Sequence, residues 1–208
     1  MTIKVKICGL TTLSDALGAW RAGADLLGLI FVEQSARYVT VEQATEIVQG
    51  LRNAGCDALT VGVFAGTPMT DVQRTAEAVG LDLVQLHGDE TPAQVAELSL
   101  PVIVARRVRG AVPWGQLAAY KPWAYLLDSH VPGRLGGTGQ AWDYGAAAEG
   151  CPFGARVILA GGLHPGNVAD AIRAVRPWGV DVATGVEASP GHKDASKMRA
   201  FVRRAKGA

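Results

Sequence analysis

The sequence predicts an α/β protein, a single-domain (β/α)8 TIM barrel covering residues 1–208. Three observations carry that reading. Strand-like and helix-like segments alternate eight times at a spacing of about 26 residues, the rhythm of a barrel at the short end of the usual length. The segment Asp25–Val32 is a near-continuous apolar run, as in a parallel strand buried on both faces. Polar residues gather where strands run out and helices have yet to begin, the end at which such barrels hold their chemistry. No composition break or linker divides the chain. A doubly wound open sheet would call for a glycine-rich first turn, and Cys8-Gly9-Leu10-Thr11 is not one.

Ile3, Val5 and Ile7 alternate with Lys4, Lys6 and Cys8, the period of a strand with two different faces. Gly9 ends it, and Thr11-Thr12 offer an N-cap to a helix over Leu13–Ala22 with its core face at Leu13, Ala16, Leu17 and Trp20. Gly23 closes that helix. The run Asp25–Val32 is the second strand. A polar loop at 33–38 precedes a helix from Thr40 through Leu51. Ala58–Phe64 and Leu81–Leu86 read as strands three and four, each followed by a helix, Pro68–Val79 and Thr91–Leu98. Val102–Arg106 is strand five, with a weak helical pattern over Trp114–Tyr120. Trp123–Leu127 is strand six, with Asp128 at its end, then a glycine-rich loop at 129–140 and a helix over Trp142–Ala148. Strand seven, Val157–Ala160, runs into Gly161-Gly162 and a helix over Pro165–Val175. Strand eight, Val180–Ala183, leads into an exit loop at 184–187, and the last helix covers Asp194–Lys206.

Composition narrows the function classes. A net charge of +1 with dispersed basic residues gives no footprint for a nucleic acid. No apolar run is long enough to span a membrane. A strand starts almost at Met1, so no signal segment is expected. Cys8, Cys56 and Cys151 are an odd, widely spaced set without C-x-x-C, which fits a reducing cytoplasm better than a disulfide framework. The four histidines, His87, His130, His164 and His192, do not converge with carboxylates from several strands, so no metal is expected. The oligomeric state is left open by the sequence.

With the barrel assumed, Cys8, Arg37, His87, Asp128 and Thr184 share one mouth. A cysteine is commonly an inert small hydrophobe, but Lys4 and Lys6 lie on the Cys8 face, and lysines seldom point into a core without a partner. Gly161-Gly162 and Gly185 follow strands seven and eight, where phosphate commonly binds in such barrels and where free N–H groups hold an anion. Arg37 is either a solvated loop residue or a fork for a carboxylate. Asp128 is either a loop cap or a general acid. His87 fits a helix start, a pocket wall or a core position equally. Asp181 puts a charge inside the eighth strand. Barrel closure would bring strand eight beside strand one, so Lys4 or Lys6 is its expected partner.

Taken together, KICGLT at 6–11, GLIFVEQSARYV at 28–39, QLHGDE at 85–90, LLDS at 126–129, GGTG at 136–139, LAGGLHPGNV at 159–168, GVDVATGVE at 179–187 and SPGHKD at 189–194 resemble the phosphoribosylanthranilate isomerases of tryptophan biosynthesis. Ala36 stands where that family usually has proline, and Ala183-Thr184 where it usually has two serines. The resemblance implies a cofactor-free Amadori rearrangement of a small phosphoribosyl substrate. Cys8 would be the base and Asp128 the acid. Arg37 would hold the anthranilate carboxylate, with His87, Gly137, Thr138 and Gly139 as further substrate contacts, and Gly161, Gly162, Thr184 and Gly185 would hold the phosphate. That chemistry needs Cys8 as thiolate and Asp128 as carboxylic acid, so the fold is expected to favour both forms, with Lys6 and the following helix lowering the Cys8 pKa. A related isomerase that also serves histidine synthesis would carry Asp in place of Cys8. A non-catalytic sugar-phosphate barrel would keep the glycine loops alone, and a metal-dependent epimerase lacks its histidines here.

Overall fold

The structure, a computed structural model, describes residues 2–108, 112–128 and 154–208. Eight parallel strands close into a barrel in sequence order: β1 Lys4–Cys8, β2 Leu26–Ile30, β3 Leu59–Phe64, β4 Leu83–Leu86, β5 Val102–Arg107, β6 Ala124–Asp128, β7 Val157–Ala160 and β8 Gly179–Val182. Closure pairs β8 with β1, Lys6 lying opposite Asp181 and Ile7 opposite Val182. The helices are α1 Leu13–Arg21, α2 Val41–Asn53, α3 Met69–Val79, α4 Pro92–Val95, α5 Trp114–Leu117, α6 Val168–Val175 and α7 Ala195–Lys206. None of the described helices is long and apolar enough to cross a membrane. The 129–140 loop and the Trp142–Ala148 helix lie outside the described residues.

Caps set the helix starts. Thr12 accepts the Asp15 N–H ahead of α1, and Thr40 forms a reciprocal capping box with Gln43 ahead of α2. The Asp194 carboxylate receives the N–H groups of Ser196 and Lys197, so this residue caps α7 instead of lying within it. Helix α4 is four residues long, where the sequence predicted eight. Its chain turns at Ala96–Leu98, so the Thr91–Gln94 capping box closes only one turn.

Two apolar layers follow from strand alternation. Val5, Ile7, Val84, Leu127 and Val180 face outward and pack under the helices. Leu26, Val61, Leu83, Ile103, Leu126 and Ile158 face inward and fill the barrel. The same alternation turns Lys6, Cys8, Gln85, Asp128 and Asp181 toward the barrel axis. Beyond β8 the exit is not a plain loop: a 3₁₀ turn at Thr184–Val186 runs into a two-stranded antiparallel ribbon, β9 Glu187–Ser189 and β10 His192–Lys193. Two clefts of about 490 and 670 Å3 lie at the opposite, amino-terminal end, sharing Trp123 and Arg156, with Trp178 lining the larger. None of the predicted site residues lines them.

Candidate active site

Cys8 ends β1 with its side chain inside the barrel, 5% exposed. Room for the sulfur comes from Gly28, its register partner on β2. A Cβ there would stand 2.8 Å from Sγ, inside van der Waals contact. Lys6, one inward position deeper, is fully buried and bonds Asp181 Oδ1 at 2.9 Å. The expected pairing across the closure is therefore made by Lys6. Lys4 instead bonds Asp25 at 2.8 Å on the amino-terminal face.

The thiol does not behave as its motif predicted. Burial pushes the Cys8 pKa up; Lys6 pulls it down by charge and hydrogen bond, Asp181 pushes it up again, and Lys193 lowers it. The net direction is upward, because loss of solvent weakens the charged form by more than the neighbouring cations restore. The expectation of a thiol activated in the free protein is corrected accordingly. Lys6 itself is held above its ordinary value. Burial opposes this, but Asp181 and Cys8 outweigh it.

Asp128 is the last residue of β6, opposite Arg107 on β5 and Ala160 on β7. Its Oδ2 lies 3.9 Å from His87 Nε2, too long for a hydrogen bond. Burial lowers the His87 pKa below its ordinary value, Asp128 raises it and Arg107 lowers it, which leaves a neutral imidazole at neutral pH. His87 Nε2 and Gln85 Oε1 are both buried without a hydrogen-bond partner among the described residues. Gln85 lies on β4 and His87 just beyond its end, so two unsatisfied polar atoms fall on one side of the barrel mouth.

Arg37 is half-buried, with its stem over Gly9, where a Cβ would come within 2.9 Å of Arg37 Cδ. Gly9 has φ +72°, so glycine is required there twice over. The guanidinium forms a fork, but with a carboxylate of the protein. Nε donates to Glu187 Oε1 at 2.8 Å and Nη2 to Oε2 at 2.7 Å. Lys193 Nζ donates to Glu187 Oε1 at 2.9 Å and to the Ala183 carbonyl at 3.1 Å. Burial alone would raise the Glu187 carboxyl pKa, yet the bonds from Arg37 and Lys193 hold it below the usual range. Sequence reasoning assigned no role to this pair. A Ser-Pro-Gly turn flanked by Glu187 and Lys193 is a hairpin signal that would have placed the two side by side across the ribbon.

The loops after β7 and β8 meet. Gly161 and Gly162 have φ of 94° and 64°, conformations open to glycine. Asn167 ties them down, its Nδ2 donating to the Gly162 carbonyl and its Oδ1 accepting the His164 N–H. Gly185 lies so close that a Cβ would fall 1.9 Å from the Leu163 carbonyl oxygen. Thr184 and Gly185 open a 3₁₀ turn whose first N–H groups have no partner within the turn. Gly137, Thr138 and Gly139 lie outside the described residues.

Residues 5–204 match the N-(5′-phosphoribosyl)anthranilate (PRA) isomerase family. The chain belongs to that family. It is 49% identical over 205 residues to the N-(5′-phosphoribosyl)anthranilate isomerase of Citrifermentans bemidjiense, covering 98% of this chain and 97% of that one. The crystal structure of phosphoribosyl anthranilate isomerase from Thermotoga maritima superposes with a TM-score of 0.88 at 36% identity, over 99% of this chain and all of that one. A phosphoribosyl anthranilate isomerase in complex with reduced 1-(o-carboxyphenylamino)-1-deoxyribulose 5-phosphate matches with a TM-score of 0.85 at 34% identity, again over 99% and 100%. Family membership makes the chain an aldose–ketose isomerase of tryptophan biosynthesis, acting on a small molecule. Cys8, His87 and Asp128 are set inside the barrel at its carboxyl end, with Arg37 and the two glycine loops around the rim.

Proposed function

We propose that this isomerase, one barrel over 1–208, converts N-(5′-phosphoribosyl)anthranilate to 1-(2-carboxyphenylamino)-1-deoxyribulose 5-phosphate with Asp128 as acid and Cys8 as base. The carrying observation is that both side chains face the barrel interior at the carboxyl ends of β1 and β6, three strands apart through β7 and β8. A sugar held between them would meet the acid and the base from different sides.

Asp128 gives its proton to the ring oxygen as the bond from that oxygen to C1′ breaks, and the nitrogen lone pair forms the Schiff base. The Cys8 thiolate then takes the C2′ proton. The electron pair left behind forms the enolamine, which tautomerises to the ketone. His87 Nε2, neutral and unpartnered, stands beside Asp128 and can bond the opening sugar. The N–H groups of Gly161, Gly162, Thr184 and Gly185 hold the phosphate, and Arg37 takes the anthranilate carboxylate. Ala183-Thr184 still offers one hydroxyl at that rim.

The test uses Cys8→Ala and Asp128→Asn. Each should keep its fold and its affinity for the reduced product analogue while kcat falls by about 10²-fold or more. Normal turnover in either variant would remove that residue from the mechanism.

A further inference from the structure

We propose that Glu187 is a positioning residue for substrate recognition: it clamps the Nε–Nη2 edge of Arg37 so that the Nη1–Nη2 edge is presented to the aromatic carboxylate of the substrate. The inference rests on the reading that Arg37 holds that carboxylate.

A guanidinium has five N–H groups in a fixed plane. Glu187 takes one from Nε and one from Nη2. Three remain, two on Nη1 and one on Nη2; one from each nitrogen lies along the Nη1–Nη2 edge, which matches a second carboxylate in two parallel bonds, and the third points back beside Cδ. A flexible arginine held at one edge has little freedom to rotate, so the free edge has a defined direction before the substrate arrives.

Glu187 could instead be a placeholder that the substrate displaces, but its surroundings oppose this. Its side chain is 6% exposed, and its Oε1 also receives the fully buried Lys193 ammonium. Its backbone carbonyl accepts from Lys197 Nζ at 2.7 Å, and it pairs with Lys193 across the β9–β10 ribbon. Moving the carboxylate away would leave a buried ammonium with only a carbonyl for company. Lys193 also bonds the carbonyl of Ala183, the residue before Thr184 and Gly185. One ammonium thus joins the arginine clamp to the loop read as holding the phosphate, fixing the distance between the two ends of the substrate site.

The test compares two ligands in each variant: reduced 1-(o-carboxyphenylamino)-1-deoxyribulose 5-phosphate, and its phenylamino counterpart without the carboxyl group. The ratio of their dissociation constants isolates recognition of the carboxylate, since a general loosening of the site weakens both. In Glu187→Gln the preference for the carboxylated ligand should shrink by about tenfold, any loosening of the phosphate loop through Lys193 affecting both ligands alike and cancelling in the ratio. Should that variant not fold, Glu187→Asp replaces it, because the shorter chain keeps the charge yet cannot span Arg37 and Lys193 together, and it should shrink the same preference. An unchanged ratio overturns the inference. A larger ratio also overturns it, since Glu187 would then be competing with the ligand. Arg37→Ala separates the two levels: an unaltered ratio there removes the carboxylate from Arg37 altogether, whereas a reduced ratio in Arg37→Ala beside an unchanged one in the Glu187 variant removes only the role of Glu187.

Discussion

Replacing Lys6 by Met tests whether the buried cation under Cys8 serves the chemistry or only the fold. Lys6 has no exposed side-chain surface, and Asp181 is 12% exposed. Removing one partner of a buried pair costs about 3–5 kcal/mol. The lower end applies here, because Asp181 keeps some contact with solvent. For a chain of this size each kcal/mol moves Tm by about 2–4 °C, so a cost of about 3 kcal/mol corresponds to about 6–12 °C. The double replacement Lys6→Met with Asp181→Val removes both charges and should recover most of that loss. Activity should not recover with it, since Lys6 is the largest influence favouring the Cys8 thiolate. The assays are thermal unfolding followed by circular dichroism, and kcat/KM from the loss of substrate fluorescence. A double variant that regains stability and rate together would show that Lys6 matters to Cys8 only through the fold. A single variant with an unchanged Tm would refute the energetic argument.

Two further outcomes follow from the same geometry. Because burial raises the Cys8 pKa, alkylation by iodoacetamide in the ligand-free enzyme should reach half its maximal rate above the ordinary thiol value of ~8.5; a midpoint below that value would mean the neighbouring cations outweigh burial. Gly185→Ala forces a Cβ into the Leu163 carbonyl and should spoil one phosphate contact of about 1.5–3 kcal/mol, raising KM about ten- to a hundredfold with a smaller effect on kcat; an unchanged KM would place the phosphate elsewhere.

The sequence was most legible where side-chain direction follows from strand period. Alternation along Lys4–Cys8 put Lys6 and Cys8 on one face, and the eightfold rhythm predicted the closure that brings Asp181 to Lys6. Three features escaped for different physical reasons. The Glu187–Lys193 pair sits in a short ribbon outside the barrel repeat, so counting strands and helices passed over it. The bond from Arg37 to Glu187 is hidden because a motif cannot say which partners a side chain already has. The direction of the Cys8 pKa was missed because sequence names neighbouring charges but not depth. Lys6 favours the thiolate as expected, yet the buried sulfur loses more from desolvation than Lys6 returns.

That last result bears on how the enzyme reaches its reactive state. Moving one proton from a Cys8 thiol to an Asp128 carboxylate gives a thiolate and a carboxylic acid at the same total charge. The resting and reactive forms are therefore tautomers, and pH cannot convert one into the other. A bell-shaped rate profile would have the same limbs for either form and would differ only in height. For a free thiol and carboxyl of ordinary pKa, about 8.5 and 3.9, the reactive tautomer is about one molecule in 10⁴–10⁵. That handicap is on the order of 6 kcal/mol. Burial of Cys8 works against the thiolate in the free protein. Around Cys8 the two buried ion-pair groups hold three cations, Lys6, Arg37 and Lys193, against two carboxylates, Asp181 and Glu187, an excess of one positive charge that a thiolate would balance. A substrate carboxylate on Arg37 would draw on that same excess. On the proposed reading, in which Arg37 takes the substrate carboxylate, the thiolate is best supported by Lys6, the largest influence lowering the Cys8 pKa. Thiol alkylation in the free enzyme, and not the pH profile of turnover, is the measurement that reads the state from which catalysis starts.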